Sequence, residues 1–264
     1  MLDLTMSPVT EKVWLEVTSR CNLRCTYCHL SHQDIPEVDL NLAGFGRFVE
    51  GLKARKTKEL IFNGRGENTF FEGWHNVVRE ALDAGLIVTA VTNLSRSYSG
   101  EELAVFSRYA SLTVSVDTTN PEIFRAIRRK ADVRLVLSNI MRIRELAIAE
   151  GRVPPVIYWN MIVHNCSMPD FAHSIAEGVA TGVDHFHLSV LGETPEIPGA
   201  LTPRQIDRLS YEEFLGGLAQ IQRGLEIAER NKRRVSMSPG LESLFLNLFK
   251  KWRVDARLAI EVTG

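Results

Sequence analysis

The stretch RCNLRCTYCH, residues 20–29, holds three of the four cysteines in a chain of 264 residues. Cys21, Cys25 and Cys28 follow a short apolar run, with three residues and then two residues between them. In a reducing compartment, cysteines crowded in this way indicate metal binding or catalysis rather than disulfide bonds. Sulfurs so close in sequence can converge on one metal centre from a single loop, and three protein ligands leave one position open.

The composition excludes several classes of partner. A formal net charge of −1 gives no overall field that would recruit nucleic acid or an anionic membrane. Residues 1–10 lack the basic start of a secretory signal, and no apolar run approaches the ~20 residues that span a bilayer. We therefore expect a cytoplasmic protein. Basic runs at 53–58, 128–130 and 232–234 are typical of solvated helix ends and loops, with docking of an acidic electron carrier as the alternative.

Six short apolar runs alternate with segments of helical period, which predicts a parallel α/β domain. The predicted strands are Val13–Thr18, Glu59–Phe62, Leu86–Thr92, Leu112–Val116, Val156–Val163 and His185–Val190. The predicted helices are Leu40–Leu52, Trp74–Ala84, Glu101–Tyr109, Val133–Glu150 and Pro169–Thr181. Six units are too few for a closed eight-stranded barrel, so we expect an open, partial (β/α)6 barrel with strands buried on both faces. Chemistry in such folds gathers at the carboxyl ends of the strands.

The pattern changes after Leu191. Gly192–Pro203 is a turn-rich connection, and Gln205–Arg234 and Leu241–Trp252 are predicted to be helical. We therefore predict a core domain, residues 1–191, and a helical C-terminal extension, residues 192–264, packed on that core.

A zinc site is the alternative for the cysteine stretch, with Cys21, Cys25, Cys28 and His29 as ligands. Adjacent Cys28 and His29 would have difficulty in reaching one tetrahedral ion, and zinc loops favour paired C-x-x-C spacings. A zinc or iron–sulfur module that acts only through binding is accordingly the alternative to an enzyme.

The sequence CNLRCTYC, placed after a predicted strand, resembles the cluster motif of the radical S-adenosylmethionine (SAM) superfamily, and the resemblance extends over residues 10–190. It implies that Cys21, Cys25 and Cys28 hold a [4Fe–4S] cluster and that Tyr27 packs near the adenine of SAM. In that family, reduction of the cluster cleaves SAM to methionine and a 5′-deoxyadenosyl radical, which removes a hydrogen atom from the substrate. The implied partner is an external one-electron reductant such as flavodoxin or ferredoxin.

The second predicted strand ends in NGRGEN, residues 63–68, which is similar to the family's Gly-Gly-Glu-Pro stretch. It matches at Gly64, Gly66 and Glu67 and departs from the family at Arg65 and Asn68. By resemblance this loop binds the amino group of SAM, and a carboxylate there can accept hydrogen bonds from an ammonium. An ordinary strand-to-loop turn is the alternative.

Later strand ends complete the SAM contacts that the resemblance implies. Asn93 belongs to a Thr-Asn pair, and Ser115 and Asp117 resemble a Ser-x-Asp contact for the ribose and carboxylate of SAM. Alternation along the strand puts Ser115 and Asp117 on one side, although Asp117 could instead help to cap the next helix. Arg128 is a candidate partner of the SAM carboxylate or a solvated surface residue, and Asn160 is a polar candidate inside an apolar run.

His185 and His187 lie two residues apart on the last predicted strand and therefore share a face. Histidines of the core or the surface are the commoner interpretation of such a pair. If His187 points inward, we expect it to contact the substrate.

The fourth cysteine, Cys166, follows the fifth predicted strand, and residues 167–264 contain no cysteine. Either one cluster suffices, or a cysteine-rich extension lies outside this chain. A single cluster favours a redox-neutral epimerisation, elimination or rearrangement of a small polar substrate such as a sugar, a nucleoside or a natural-product precursor. An epimerase needs a hydrogen-atom donor, for which Cys166 is the candidate, with a small buried hydrophobic residue as the alternative. Peptide modification and activation of a glycyl-radical protein are the alternative functions.

Overall fold

The computed structural model describes residues 11–192 and 201–254, and within those ranges the chain forms nine strands and eight α-helices. The strands are β1 (Lys12–Leu15), β2 (Arg24–Cys25), β3 (Glu59–Phe62), β4 (Ile87–Thr92), β5 (Ser111–Ser115), β6 (Arg128–Arg129), β7 (Val156–Val163), β8 (His185–Val190) and β9 (Arg234–Met237). Seven of them form one parallel sheet in the order β1-β3-β4-β5-β7-β8-β9, which is their order along the chain. Strands β2 and β6 form a separate antiparallel pair.

The helices follow the strands, and capping residues mark several of their ends. They are α1 (Phe45–Ala54), α2 (Trp74–Asp83), α3 (Gly100–Phe106), α4 (Pro121–Ile127), α5 (Val133–Ala149), α6 (Phe171–Thr181), α7 (Tyr211–Arg230) and α8 (Pro239–Trp252). Ser99 and Ser210 each form a capping box with a glutamate three residues later, which satisfies backbone donors at the starts of α3 and α7. Gly182 ends α6 in the left-handed conformation, directly after the predicted last residue Thr181. No helix of the described ranges is long and apolar enough to cross a bilayer.

The two faces of the sheet differ in burial. Along β7, Ile157, Trp159, Met161 and Val163 are buried against the helices, whereas the alternate residues are only half-buried or exposed. The prediction that the strands are buried on both faces is therefore wrong, because the helices cover one side alone. We call the other side the open face, and its register rows are Thr113–Tyr158–His185 and Ser115–Asn160–His187.

The predicted fold class is confirmed as an α/β fold with a parallel sheet. Strands β3, β7 and β8 have the bounds that the sequence predicted. Four of the strands and α-helices in the described ranges were not predicted. They are α4, which is only seven residues long, the two-residue strands β2 and β6, and β9, whose Arg234–Met237 begins on the last residue of a basic run and has little apolar pattern of its own. Strand β9 forms because the edge of β8 pairs with it.

The proposed division at residue 191 stays a prediction. Within the predicted extension, α7 and α8 are helical as expected, and β9 adds a seventh strand to the sheet of the core. The predicted turn-rich connection Gly192–Pro203 lies largely outside the described residues, as do residues 1–10 and 255–264.

Gly178 lets α6 pack closely on the sheet. A Cβ atom there would lie 2.7 Å from Phe186 Cε1 and 2.9 Å from Trp159 Cζ3, and both rings are fully buried. We expect Gly178→Ala to lower the free energy of unfolding in urea, because overpacking costs about 1–3 kcal/mol and outweighs the smaller gain in helix propensity.

Gly216 is the matched control, because a Cβ atom added there meets nothing within 4 Å in the same kind of helical setting. We expect Gly216→Ala to stabilise the protein by up to about 1 kcal/mol. Equal stabilisation by the two substitutions would show that Gly178 is not a packing contact.

Candidate active site

The cysteine loop, residues 21–28, leaves the carboxyl end of the sheet through a tightly packed segment. The backbone N–H of Glu67 donates to the carbonyl oxygen of Arg20 at 2.8 Å. A Cβ atom at Gly66 would overlap the carbonyl oxygens of Thr18 and Arg20. Only glycine fits there, so the loop after β3 is fastened directly to the entrance of the cysteine loop.

The three cysteines of this loop are half-buried, and backbone contacts fix their surroundings. Cys25 pairs with Arg128 across the β2–β6 ribbon. The sulfur of Cys21 accepts the N–H of Leu23 at 3.4 Å and lies 3.9 Å from the side-chain nitrogen of Asn93. Such N–H contacts suit a sulfur that becomes a metal-bound thiolate.

The sulfurs influence one another electrostatically. Burial raises the pKa of Cys21 to about 11 and that of Cys25 to about 12, and the charge of Cys28 adds to both shifts. The free thiols of Cys21 and Cys25 are therefore protonated at neutral pH, and metal binding must release their protons. Within residues 11–192 and 201–254, no three His, Cys, Asp or Glu side chains are gathered to hold a single metal ion.

A buried ion pair supports the loop from behind. Nε and Nη2 of Arg128 each donate to the carboxylate of Asp117 at 3.0 Å, and the two side chains are only 6% and 1% exposed. The hydroxyl of Tyr27 donates to the same carboxylate at 2.7 Å, and the N–H of Ile162 at 3.2 Å. Burial alone would raise the pKa of Asp117, but the Arg128 guanidinium holds it below its ordinary value.

These contacts bear on how Arg128 and Asp117 were interpreted from the sequence. The suggestion that Arg128 is a solvated surface residue is wrong, because its guanidinium is buried against Asp117. Two of its donors are already committed, and its guanidinium carbon lies 5.6 Å from the centre of the Tyr27 ring. The expected SAM contacts of Tyr27, Asp117 and Arg128 stay predictions. The cap of α4 comes from Asn120, which accepts from the N–H groups of Glu122 and Ile123.

Glu67 joins the ends of two neighbouring strands. Its carboxylate accepts four hydrogen bonds, from the hydroxyl and N–H of Thr69, the hydroxyl of Thr92 and the N–H of Asn93. Burial raises its pKa above the ordinary value, and the four donors oppose that shift. The loop after β3 and the Thr92–Asn93 end of β4 are thereby held as one unit.

The remaining candidates lie at the same edge or on the open face. The side-chain nitrogen of Asn93 donates to Asn22 in the cysteine loop at 2.9 Å. Ser115 and Asn160 are register neighbours on the open face, and Asn160 accepts from the Ser189 hydroxyl at 2.6 Å. At Gly64, a Cβ atom would overlap the Glu16 side chain. The structure thus brings the predicted cofactor residues of β1, β3, β4, β5 and β7 to one end of the sheet.

Cys166 stands apart from this group. It is buried in a cleft of about 330 Å³ between α4, α7 and the turn after β7, whose lining includes none of the predicted cofactor residues. Its thiol points to the carbonyl oxygen of Thr202 at 3.8 Å, and its N–H donates to Nδ1 of His164 at 3.1 Å. Burial raises the pKa of the Cys166 thiol.

Sequence reasoning missed one polar cluster on the open face. The Ser236 hydroxyl lies 2.7 Å from Nε2 of His185 and 2.9 Å from Nδ1 of His187. Burial lowers the pKa of each histidine, and the charges of His187 and Arg234 lower that of His185 further. The histidine spacing was visible in the sequence, but Ser236 belongs to the unpredicted β9. We call these three residues the His–Ser–His cluster.

The sulfur donors, the close-packed glycine and the clustered polar strand ends fit an iron–sulfur cluster with a ligand beside it. The family model of the radical SAM superfamily matches residues 15–161, more than half of the chain.

Curated relatives share this core. The chain is 30% identical over 168 residues to a GTP 3′,8-cyclase of Caulobacter vibrioides, which covers 55% of this chain and 47% of the relative. It is 26% identical over 159 residues to an S-adenosylmethionine-dependent nucleotide dehydratase of Selenomonas ruminantium, covering 58% of this chain and 57% of the relative. The chain therefore spans about half the length of the curated relatives it matches.

A solved structure agrees on the fold. Streptococcus suis SuiB bound to S-adenosylmethionine superposes with a TM-score of 0.63 at 13% identity, covering 88% of this chain and 50% of SuiB. The sheet is accordingly the partial barrel of such enzymes. The chain belongs to the radical SAM superfamily and is an enzyme of that family, with a [4Fe–4S] cluster and SAM as its cofactors.

Proposed function

We propose that this enzyme carries out a redox-neutral reaction on a small polar molecule bound at the open face of the sheet. One observation carries the proposal: the cofactor residues and the polar residues of the open face belong to the same sheet. The cysteine loop and the predicted SAM residues gather at the carboxyl end of one sheet, and the polar row Ser115–Asn160–His187 crosses the open face of that sheet.

When bound, the cluster supplies an electron that splits SAM into methionine and a radical able to remove a hydrogen atom from the substrate. The residues of the chain hold the cluster and SAM in position. Cys21, Cys25 and Cys28 are the proposed cluster ligands, and Asn93, Ser115 and Asn160 are proposed SAM contacts beside them. Fixing two reactants in place replaces much of the entropy loss of a bimolecular step.

Two carboxylates hold this arrangement rigid. Asp117 and Glu67 each accept four hydrogen bonds from the chain, so we propose that both fix the loops around SAM in addition to any contact with it. Gly64 and Gly66 keep the loop after β3 close to the cysteine loop, where its backbone can approach the amino group of SAM.

A nucleoside or nucleotide is the first substrate class to test. Two curated relatives carry nucleotide substrates in their names, and their similarity covers more than half of this chain. The open face offers hydroxyl, amide and imidazole groups, which recognise the hydroxyls and base edges of such molecules. Peptide modification and activation of a glycyl-radical protein stay as alternatives.

The His–Ser–His cluster is the feature of the open face that most directly supports the proposal of a polar substrate. Burial lowers the pKa of both histidines, so each is neutral at pH 7 and presents one N–H donor and one acceptor. One ring nitrogen of each histidine is used by Ser236. We propose that the other nitrogens orient polar groups of the substrate.

Removal of any one cluster ligand should abolish SAM cleavage. We expect Cys21→Ala, Cys25→Ala and Cys28→Ala each to lose the brown colour, the iron and the formation of 5′-deoxyadenosine after anaerobic reconstitution, because two thiolates do not hold the cluster. Cys166→Ala is the matched control and should retain the iron, because its sulfur lies in a separate cleft. Full iron content in any of the three loop variants would contradict the ligand assignment.

Ser236→Ala should impair turnover of the substrate. Nucleosides, nucleotides and sugars are offered with SAM and dithionite, and products are read by mass spectrometry. We expect product formation to fall by about tenfold, equivalent to about 1.4 kcal/mol, because both histidines lose the hydroxyl that orients them.

Ser111→Ala is the control for this substitution, since Ser111 belongs to the same face but is the first residue of β5, and β7 separates β5 from β8. We expect this variant to keep its turnover. Equal losses in both variants would assign the effect to the sheet as a whole, and an unaffected Ser236→Ala would remove the cluster from the proposal.

The hydrogen-donor role of Cys166 stays a prediction of the epimerase version of the reaction. That version predicts that, in deuterated water, deuterium enters the product at the inverted carbon and is lost from the product in Cys166→Ala. Turnover that survives this substitution unchanged would exclude Cys166 from the mechanism.

A further inference from the structure

The antiparallel pair of β2 and β6 concentrates positive charge beside the cysteine loop. Arg24 lies directly opposite Arg129, and Cys25 lies opposite Arg128 in the same pair. Arg129 and the next residue, Lys130, are exposed, and the Arg24 side chain is 42% exposed. We call Arg24, Arg129 and Lys130 the basic ribbon.

This arrangement does not favour stability. Like charges placed directly opposite each other in an antiparallel pair are destabilising. The Arg24 guanidinium is held by the carbonyl oxygens of Cys21 and Leu23 at 2.9 and 3.0 Å, and it lies 3.8 Å from the exposed carboxylate of Glu37. A solvent-exposed contact of that length contributes little. An unfavourable pair of like charges that no strong contact offsets is typical of a functional site.

The ribbon lies next to a proposed cluster ligand. Paired residues in antiparallel strands have Cα atoms about 4.5–5.5 Å apart, so Arg24, Arg128 and Cys25 are immediate neighbours. Arg128 is neutralised by Asp117, so it is not counted in the basic ribbon. The nearby carboxylate of Asp132 accepts the backbone N–H of Arg134 at the start of α5. The β2–β6 pair is separate from the seven-stranded sheet, so a partner bound to the basic ribbon does not need to contact the open face.

We propose that the basic ribbon is the docking surface for an acidic one-electron carrier of the flavodoxin or ferredoxin type. The inference rests on the proposed function, because SAM cleavage consumes one electron: the carrier is oxidised by one electron as the cluster is reduced by one. With a net charge of −1, the chain has no overall field to attract such a carrier, so the attraction must be local. Complementary charge raises the encounter rate and weakens as salt increases.

The double substitution Arg129→Glu with Lys130→Glu tests the proposal. Formation of 5′-deoxyadenosine from SAM is measured at low salt with reduced flavodoxin as the electron donor, and separately with dithionite. We expect the flavodoxin-driven rate to fall about tenfold or more and the dithionite-driven rate to change by less than about twofold, because dithionite needs no docking surface. Higher salt should slow the unaltered protein with flavodoxin and shrink the difference.

Two controls separate docking from damage. The acidic substitution faces Arg24 and removes a like-charge pair, so the fold should persist, as circular dichroism and iron content verify. Lys232→Glu reverses an exposed charge just before β9, at the amino end of the sheet, and should leave both rates unchanged.

Equal losses with flavodoxin and dithionite would overturn the proposal, because the ribbon would then support the cluster itself. An unchanged flavodoxin-driven rate would also overturn it. Failure of the proposed function gives a different result: the unaltered, reconstituted protein would form no 5′-deoxyadenosine even with dithionite.

Discussion

The buried ion pair between Asp117 and Arg128 is the interaction on which the cysteine loop depends. That loop contains only the two residues of β2 as regular structure, so its own backbone does little to fix the sulfurs. Asp117 binds Arg128 through two hydrogen bonds and Tyr27 through a third, and thus ties both the β2–β6 ribbon and the aromatic residue before Cys28 to the end of β5. Removing one partner of a buried pair typically costs about 3–5 kcal/mol, because the other charge is left uncompensated.

A second constraint acts at the entrance of the same loop. Glu67 gathers donors from the ends of β3 and β4, and Gly66 packs against backbone carbonyls that precede Cys21. Buried carboxylates with all their hydrogen bonds satisfied are rigid, and rigid loops can hold a cofactor in one orientation. The two carboxylates therefore act on the same short loop, Asp117 from the end of β5 and Glu67 from the ends of β3 and β4.

Much of the fold could be predicted from sequence because β3, β7 and β8 are compact runs of apolar and β-branched residues. Strand β9 could not, since Arg234–Met237 is polar enough to suit a loop and becomes a strand only beside β8. The three cysteines of the loop were predicted as cluster ligands from their spacing together with the resemblance of CNLRCTYC to the radical SAM motif. The pairing of Asp117 with Tyr27, which is 90 residues away in the chain, follows from how strands and loops meet in space. For the same reason, the sequence could not show that Arg128 is buried or that Ser236 joins two histidines.

The central claim is that Cys21, Cys25 and Cys28 hold an iron–sulfur cluster with one position open to SAM. Electron paramagnetic resonance of the anaerobically reconstituted and reduced protein, recorded with and without SAM, tests it most directly. The account predicts the signal of a reduced [4Fe–4S] cluster whose g-values change when SAM is added, because SAM binds at the open iron. A protein that takes up no iron and sulfide, or a cluster signal that SAM leaves unchanged, would contradict the account.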